Sequence, residues 1–467
     1  MRLTDAAPLP PAVNPPGHDR AALTPGIVHL GFGAFHRAHQ AVATQAALRQ
    51  DFGPWGIVAV NLRSAQPIRD LAAQDGLYSV TMRGADGDST EVIGATVGWL
   101  CAAEDAGAVL ARMADPATRI VTLTVTEKAY GLDPATGGLD IAHPSIAADL
   151  ANPAHPQGAV GLLVEALARR RAAGIAPFTV LSCDNLPSNG RVLSRLVCDF
   201  AARRDPALAD WIAAKVAFPS SMVDRIVPAA TDETRARAAA ALGADDALAV
   251  ETEPFLQWVI EDHFPMGRPA WEAAGAIFVA DVAPHEKMKL RMLNGAHTLA
   301  AHLGILNGLD HVRDVMAVPA LAAQVGAHMQ AAAATLDPVP GIDLAAYRAD
   351  LLTRFANPAI AHRCVQIAMD TSQKLPQRIL SPAADALAAG SDGGAFALAT
   401  GAWMAALAHR GQADDPRSAE LLAAAAAMPD DAPSAPFFAI AGLFPDALAH
   451  DAAWRARVDA AIMGLRP

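Results

Sequence analysis

Short runs of apolar residues alternate with longer alanine-rich segments over the first part of the chain. The runs are "IVHLGF", "GIVAVNL", "RIVTLTV" and "FTVLSCD", and each has the length of one buried strand. The segments between them, such as residues 159–173, have the period of a helix. This alternation predicts β-α-β units and therefore a parallel sheet covered by helices. The first ~24 residues are rich in proline and predict an irregular arm, because proline lacks the amide donor.

The pattern changes near Asp281, where the β-branched runs end. Good helix formers dominate from there on, as in "HEKMKLRMLNGAHTLAAHLGIL" and "VPALAAQVGAHMQAAAATL". Pro284 lies just ahead of this region, where a proline is tolerated in or before the first turn of a helix. We therefore expect two domains, residues 1–282 with the sheet and residues 283–467 all-α.

Composition and charge narrow the possible partners. The net charge of -12 opposes binding to phosphate backbones or anionic lipid, so neither nucleic acid nor a membrane is an expected partner. The N-terminal residues carry acids and prolines where an export signal needs an apolar core, and we expect a cytoplasmic protein. No metal site is expected, since the histidines lack a metal-binding spacing and the cysteines form no CxxC pair. The four cysteines are scattered, at Cys101, Cys183, Cys198 and Cys364.

The stretch "IVHLGFGAFHRAHQ" contains a glycine loop directly after the first predicted strand. Gly31 and Gly33 allow a sharp turn and a close approach to a pyrophosphate, as in dinucleotide-binding loops. His36 replaces the usual third glycine, so we expect it to turn toward solvent or the ligand and, with Arg37, to place positive charge near the phosphates. The candidate cofactor-binding residues of this loop are Gly31, Phe32, Gly33, Ala34, Phe35, His36 and Arg37. Together these patterns predict an α/β protein, with a Rossmann-like doubly wound sheet domain followed by an all-α domain.

The next strand, "WGIVAVNLRS", ends where an acid would hold the ribose hydroxyls of NAD. Asn61 and Arg63 stand there instead, followed by no acid before Gln66. Arg63 with Ser64 could equally receive the 2'-phosphate of NADP. Asn61 and Arg63 are candidate cofactor residues, and the choice between NAD and NADP stays open.

Four polar residues at the start of the second domain fall on one side of a predicted α-helix. At ~100° per residue, Glu286, Lys289, Asn294 and His297 span about 140°. Such a set fits the oxidation of a carbinol, in which a desolvated lysine takes the hydroxyl proton, an amide stabilises the reacting oxygen and an acid relays the proton outward. The alternative interpretation is an amphipathic helix with a solvated Glu-Lys pair.

The segment "KMKLRMLNGAH", with Lys289-x4-Asn294-x2-His297, resembles the signature of the long-chain mannitol dehydrogenase family, the polyol-specific dehydrogenases and reductases. Other blocks resemble the family in the same order, among them "TLTVTEKAYGLDPATGGLD", "FTVLSCDNLPSNG" and "EPFLQWVIEDHF", and the match runs from residue 27 to about 380. The sequences "VEALARRRAAG" and "QIAMDTSQKLPQR" are more similar to the fructuronate reductase (D-mannonate oxidoreductase) subgroup than to the mannitol 2-dehydrogenases.

The resemblance implies roles for the residues of this site. Lys289 is the general base in oxidation and the acid in reduction, and His297 orients it or the substrate. Asn294 and Asn185 donate to the reacting oxygen, and Glu286 passes the proton to solvent.

The resemblance also implies residues that touch the cofactor and the substrate. Thr126 and Glu127 end the "VTLTVTE" strand and are expected to face the nicotinamide from the carboxyl edge of the sheet. A substrate carboxylate would require a fixed cation, for which the candidates are Lys374, Arg363 and Arg378. Lys374 ranks first because it aligns with a cationic position in the family's substrate pocket.

The function expected is that of an NAD(P)-dependent reductase that interconverts a keto sugar acid and an aldonic acid, D-fructuronate and D-mannonate. One alternative keeps the chemistry with a neutral polyol such as mannitol or arabinitol. Another alternative is a non-catalytic dinucleotide-binding sensor. The expected ligand is a small sugar acid or polyol, and we expect a monomer or weak homo-oligomer.

Overall fold

The computed structural model describes residues 1–133 and 136–465. The chain forms two compact units, Met1–Val282 and Ala283–Pro467. All strands of the described residues belong to the first unit. The strands are β1 Val13–Asn14, β2 Pro25–Leu30, β3 Gly56–Asn61, β4 Tyr78–Gly84, β5 Gly87–Ile93, β6 Thr96–Cys101, β7 Ile120–Leu123, β8 Thr179–Ser182, β9 Ser221–Asp224, β10 Val250–Thr252, β11 Gln257–Glu261 and β12 Ile277–Val279.

The central feature of the first unit is a five-stranded parallel sheet of order β6-β3-β2-β7-β8. The order reverses at β2, which pairs with β3 on one side and with β7 on the other. Two smaller sheets accompany it, of order β1-β5-β4-β10 and β12-β11-β9. The N-terminal arm is mostly irregular, as expected, but Val13–Asn14 pairs with β5.

Helices cover both faces of the parallel sheet. Along β2, Val28 and Leu30 pack into a core with α-helical residues of one face, whereas Ile27 packs into the core of the opposite face. Because both faces of the sheet are buried, the sequences of its strands are continuous apolar runs. The helices of this unit are α1 Ala34–Ala38, α2 Gln40–Gln50, α3 Gln66–Ala72, α4 Ala102–Ala114, α5 Pro144–Ala151, α6 Ala159–Ala172, α7 Asn189–Arg204, α8 Pro206–Lys215 and α9 Asp232–Leu242, with 3-10 turns at Glu127–Tyr130 and Trp271–Ala274.

The second unit is helical throughout its described residues, apart from turns and loops. Its core forms around α11 and α18, which contact each other, and α22 packs on α18. Two segments are π-helices, Lys289–Asn294 and Pro376–Leu380. The α-helices are α10 Ala283–Met288, α11 Gly295–Leu306, α12 Val312–Met316, α13 Pro319–Ala333, α14 Leu344–Phe355, α15 Cys364–Ile367, α16 Thr371–Leu375, α17 Ser381–Ala388, α18 Gly394–Arg410, α19 Ser418–Ala426, α20 Ala435–Phe438, α21 Asp446–Ala449 and α22 Ala452–Leu465.

The predicted fold class is confirmed, because a Rossmann-like parallel sheet precedes a helical region. All four cysteines are free thiols. Over the described ranges, no helix is both long enough and apolar enough to span a membrane. The same ranges hold no cluster of three or more His, Cys, Asp or Glu side chains placed to bind a metal ion.

Candidate active site

An open cleft of about 720 Å³ lies at the carboxyl edge of the parallel sheet. Its wall contains Gly31 and Gly33 after β2, Asn61 at the end of β3 with Arg63 after it, and Thr126 after β7. The strand order reverses at β2, and ligands of open α/β sheets bind at such a point. These five residues are all among the predicted cofactor residues, so the sheet brings them to one cleft.

Gly31 makes the turn that opens the cleft. Its φ is +102°, and a Cβ at this position would lie 2.2 Å from the carbonyl oxygen of Thr124, so only glycine fits. Its amide donates to the carbonyl of Val60 at 2.8 Å, and its own carbonyl accepts from the amide of Gly33 at 2.6 Å. The sharp turn that the sequence predicts for this glycine is therefore present, and the backbone that it approaches closely is that of Thr124.

His36 does not face solvent or the cleft, and our expectation for this residue is wrong. It is buried and stacks on the buried His29, with ring centroids 3.4 Å apart and an interplanar angle of 14°. The Nε2 of His29 lies 3.0 Å from the carbonyl of Gly31, and its Nδ1 lies 2.8 Å from the hydroxyl of Thr122. The histidine pair thus supports the glycine turn from inside the protein.

Burial also removes the charge that we expected from His36. It lowers the pKa of His29 to about 3 and the pKa of His36 well below its usual value, and the neighbouring His29 and the charge of Arg37 lower the pKa of His36 further. Both imidazoles are therefore neutral at neutral pH. A neutral imidazole that stacks on His29 occupies the position of the third glycine, so His36 supplies no positive charge to the cleft.

Arg37 is also directed away from the cleft. Its guanidinium donates to the carbonyl of Leu248 and lies 5.6 Å and 5.9 Å from the ring centroids of Phe32 and Tyr78. Arg37 lies in the five-residue helix α1, which ends at Ala38. The next residue, His39, has a ψ of −84° and separates α1 from α2. The predicted cofactor residues that do not line the cleft are Phe32, Ala34, Phe35, His36 and Arg37.

The end of β3 forms a short turn in the cleft wall. The side chain of Asn61 donates to the carbonyl of Ser64 at 3.1 Å, which places Arg63 and Ser64 on the wall. Lys128 is a second cation there, and the described residues of the wall include no carboxylate. In a protein of net charge -12, this local excess of cations favours an anionic ligand. Glu127 begins a 3-10 turn, and its side chain lies outside the described part of the chain.

Another part of the wall was not predicted. Gln157 and Gly158, just before α6, line the cleft. Their amides donate to the two carboxylate oxygens of Asp149 at 2.8 Å and 2.9 Å, which holds this turn in place. No local sequence signal marks the turn, because its position depends on how α6 returns to the sheet.

The block "CDNLPSNG" begins at the carboxyl end of β8, the strand next to β7. Asn185 is exposed at this end. The side-chain amide of Asn189 donates to the carbonyls of Asp184 and Ser221 at 3.1 Å and 2.8 Å. The second of these bonds connects the block to β9. A Cβ at Gly190 would lie 2.5 Å from the carbonyl oxygen of Phe218, so the backbones are in close contact here.

In the second unit, Lys289, Asn294 and His297 are each only 7% exposed. The segment Lys289–Asn294 is a π-helix between α10 and α11, so the spacing of ~100° per residue does not apply across it. Our expectation of one regular α-helix was wrong on this point, and the predicted face of about 140° does not describe the side-chain directions. Single-turn π-helices occur frequently at functional sites. Glu286 is half-buried in the last turn before this segment.

His297 is enclosed by aromatic and cationic groups. Its ring stacks on Phe355 at 4.0 Å with an interplanar angle of 4°, and His362 meets it edge-on at 5.1 Å. Burial lowers the pKa of His297 well below its usual value, so the ring is neutral. The neighbouring His362 and the charges of Arg354, Arg378 and Lys289 lower this pKa further. The sequence did not identify Phe355, because this residue contacts His297 in the folded protein but lies many residues after it in the chain.

The second π-helix brings Arg378 to this cluster. The two π-helices contact each other, and a Cβ at Gly295 would lie 2.9 Å from the carbonyl oxygen of Arg378. Glycine is therefore required for this close approach. One guanidinium nitrogen of Arg378 lies 3.4 Å from the hydroxyl oxygen of Thr298, one residue beyond His297.

The other two predicted cations are placed differently. The ammonium of Lys374 donates to the carbonyls of Met369 and, at 3.4 Å, of Ile367, at the end of α15. Its charge lowers the pKa of His302, which lies about one and a half turns after His297 in α11. Arg363 is exposed at the beginning of α15. Of the three candidates, Arg378 is the one whose charge acts on His297, and which of them faces a substrate carboxylate stays a prediction.

The family of the chain follows from sequence comparison. Residues 25–273 match the mannitol dehydrogenase Rossmann domain and residues 281–436 match the mannitol dehydrogenase C-terminal domain. The chain therefore belongs to the mannitol dehydrogenase family, as the sequence motifs predicted, and is an oxidoreductase.

Particular relatives include both a sugar-acid enzyme and polyol enzymes. The D-mannonate oxidoreductase of Escherichia coli (strain K12) is 48% identical over 394 residues, which cover 83% of this chain and 81% of the relative. The mannitol 2-dehydrogenase of Cereibacter sphaeroides is 42% identical over 396 residues, or 84% of this chain and 83% of the relative. The structure of Pseudomonas fluorescens mannitol 2-dehydrogenase in a ternary complex with NAD and D-mannitol is 38% identical, with a TM-score of 0.87 over 100% of this chain and 97% of that chain.

Proposed function

We propose that the protein is an NAD-dependent secondary-alcohol dehydrogenase that interconverts D-fructuronate and D-mannonate. The observation that carries the proposal is the buried set Lys289, Asn294 and His297, in a chain that is 48% identical to a D-mannonate oxidoreductase. The sheet cleft is proposed to hold the dinucleotide and the second unit to supply the proton-transfer groups.

The cleft fits a dinucleotide on its own geometry. Gly31 lets the backbone turn where a side chain would collide with Thr124, and Arg63 and Lys128 supply positive charge without a described carboxylate on the wall. Phosphate oxygens prefer such backbone turns and cations. When bound, NAD supplies the nicotinamide ring that accepts or donates the hydride.

Lys289 is proposed as the acid and base of the reaction. In the oxidation of mannonate, its amine would take the proton from the hydroxyl on the carbon that is oxidised. In the reduction of fructuronate, its ammonium returns that proton to the new alkoxide oxygen. The low exposure of Lys289 excludes bulk water from the transfer, and the partly exposed Glu286 offers the route by which the proton reaches solvent.

Amide groups stabilise the reacting oxygen in this proposal. Asn294 from the π-helix and Asn185 from the end of β8 are proposed to donate to it. His297 is held flat against Phe355 and stays neutral, so it can orient Lys289 or a substrate hydroxyl without adding a charge.

Arg378 is the proposed reader of the substrate carboxylate. A buried carboxylate requires a fixed cation, and the charge of Arg378 acts on His297 whereas Lys374 donates to the carbonyls of Ile367 and Met369. The alternative substrate is a neutral polyol, which the similarity to two mannitol 2-dehydrogenases supports. The sensor alternative is disfavoured, because Lys289, Asn294 and His297 are all present and buried.

The experiment is a substrate panel followed by nicotinamide absorbance, with uronates, ketoses and polyols each tested with NAD(H) and NADP(H). We expect the highest specificity constant for fructuronate with NADH. A preference for fructose would replace the uronate assignment by a polyol dehydrogenase. A preference for NADPH would assign Arg63 to a 2'-phosphate, and no turnover with any substrate would favour the sensor.

A further inference from the structure

Thr126 lines the cofactor cleft with an unusual backbone conformation. Its φ is +71° and its ψ is +151°. This region is essentially reserved for glycine, because a Cβ collides with the neighbouring backbone, and a β-branched residue suits it least. Such a conformation persists only where the surrounding structure imposes it.

The carboxylate of Asp184 supplies the restraint. One oxygen accepts from the amide of Thr126 at 2.9 Å, and the other accepts from the amide of Val125 at 3.0 Å. Asp184 begins the loop after β8, whereas Val125 and Thr126 follow β7. One side chain therefore joins the carboxyl ends of two neighbouring strands, 58 residues apart for Thr126.

The position of Asp184 is itself well determined. The hydroxyl of the buried Tyr130 donates to it at 2.6 Å and lies 2.9 Å from the hydroxyl of Ser182. The carbonyl of Asp184 accepts from the side chain of Asn189. Burial raises the pKa of Asp184, and the hydrogen bonds from Tyr130 and the two amides oppose this shift.

We propose that Asp184 is a positioning residue that holds Thr126 in the glycine-like conformation and thereby shapes the dinucleotide cleft. Because it also precedes Asn185 directly, the same carboxylate sets the backbone from which that amide extends. The proposal rests on the proposed function only in that the ligand of the cleft is a nicotinamide dinucleotide. Asp184 acts through the backbone and touches neither substrate nor the reacting atoms.

The first test is Asp184→Asn, read by the dissociation constant of NADH in a fluorescence titration without substrate. Asparagine keeps the shape but turns one acceptor into an NH2 group that faces a backbone N–H. We expect NADH affinity to fall about tenfold, since one buried amide loses its partner. Binding is measured without turnover, so a wrong substrate assignment does not affect this result. A protein that binds no nicotinamide dinucleotide at all, in wild-type form, would contradict the proposed function instead.

The second test is rescue by glycine. Glycine adopts a positive φ without the Cβ penalty, so Thr126→Gly removes the need for the restraint. We expect the double variant Asp184→Asn with Thr126→Gly to recover most of the lost NADH affinity. A merely structural role for Asp184 predicts no recovery, because the mutation at Thr126 does not replace a hydrogen bond.

A matched control separates positioning from general stability. Asp246 is another buried carboxylate that accepts backbone amides, from Ser79 at 2.6 Å and Leu248 at 2.8 Å, and it does not line the cleft. Asp246→Asn is expected to lower Tm while NADH affinity stays within about twofold of wild type. Equal losses of affinity in Asp184→Asn and Asp246→Asn would overturn the proposal.

Tyr130→Phe serves if Asp184→Asn does not fold. It removes one of the three hydrogen bonds to the carboxylate of Asp184 and leaves the two from backbone amides. We expect a two- to fivefold loss of NADH affinity, roughly half the effect of a full hydrogen bond, that Thr126→Gly reverses. Unchanged affinity in Tyr130→Phe, or in Asp184→Asn, would overturn the proposal, as would a loss that Thr126→Gly fails to reverse.

Discussion

The glycine loop of the first unit and the π-helix of the second unit build their parts of the site in opposite ways. In the loop, the backbone of Gly31 and Gly33 lines the cleft while the side chains of His36 and Arg37 pack inward. In the π-helix, the side chain of Lys289 is the proposed chemical group and the irregular backbone sets its direction. A site for a phosphate-bearing ligand can rely on backbone amides, whereas proton transfer requires a side chain that titrates.

The difference also shows in how the two regions use histidine. His29 supports a backbone turn through its hydrogen bond to the carbonyl of Gly31. His297 stacks on Phe355 among cations. Both rings are neutral because they are buried, so their roles differ by position and not by charge.

The largest effect is expected from Lys289→Ala, which tests the side-chain half of the comparison. Loss of the acid and base should lower kcat by about 10²- to 10⁴-fold. NADH affinity should stay close to wild type, because the proposed dinucleotide residues belong to the other unit. Turnover is measured by nicotinamide absorbance and binding by fluorescence titration.

Lys287→Ala is the matched control for this variant. Lys287 lies two residues earlier and is 3.6 Å from Asp337 in an ion pair whose lysine is 40% exposed. It should leave kcat unchanged. A folded Lys289→Ala protein that turns over normally, or that loses NADH together with activity, would contradict the division between the two units.

The next effect is expected from Arg378→Met compared with Lys374→Met. A charge-assisted contact to a carboxylate corresponds to a loss of about 10- to 150-fold in kcat/KM, here for fructuronate and not for fructose. Lys374→Met should lower Tm, because Lys374 donates to carbonyls at the end of α15, and should leave the ratio of the two substrates unchanged. Equal losses of Arg378→Met on both substrates would show that Arg378 does not read the carboxylate.

A smaller effect is expected from Gly31→Ala, which tests the backbone half of the comparison. A Cβ would lie 2.2 Å from the carbonyl oxygen of Thr124, so the turn must shift. NADH affinity should fall about tenfold, or ~1.4 kcal/mol. Gly243→Ala is the control, since Gly243 has a φ of +67° and no atom within 4 Å of a Cβ. Similar NADH affinities in the two variants would mean that the loop does not contact the dinucleotide.

A further effect, on stability and not on binding, concerns the pH dependence of unfolding through His29. The pKa of His29 is about 3 in the folded protein against an ordinary 6.5, so between these values the unfolded chain binds a proton that the folded chain does not. The free energy of unfolding should therefore fall on acidification below pH 6.5, by about 1.4 kcal/mol per pH unit for this one residue. His29→Gln should make the dependence shallower in urea unfolding at several pH values, whereas His155→Gln, at an exposed position, should not. An unchanged slope in His29→Gln would contradict the neutral, buried state of this ring.

Much of this protein follows from local sequence patterns. The apolar runs and helical periods predicted the parallel sheet and the helical region after it, because burial on both faces requires continuous apolar strands. Gly31 was predictable because the sharp turn after β2 requires glycine at this position. Lys289, Asn294 and His297 were predicted as site residues from a motif that resembles a known family, and such a motif is a local property of the chain.

The directions of side chains depended on residues that are distant in the chain. The side chain of His36 turns inward because it stacks on the ring of His29. The side chain of Arg37 turns inward because it donates a hydrogen bond to the carbonyl of Leu248. The π-helix at Lys289 lies against the second π-helix, which begins at Pro376. Phe355 reaches His297 from α14. A sequence pattern records which residues prefer burial, but only the packed structure decides which distant partner satisfies each buried polar group, because those hydrogen bonds and contacts form between elements.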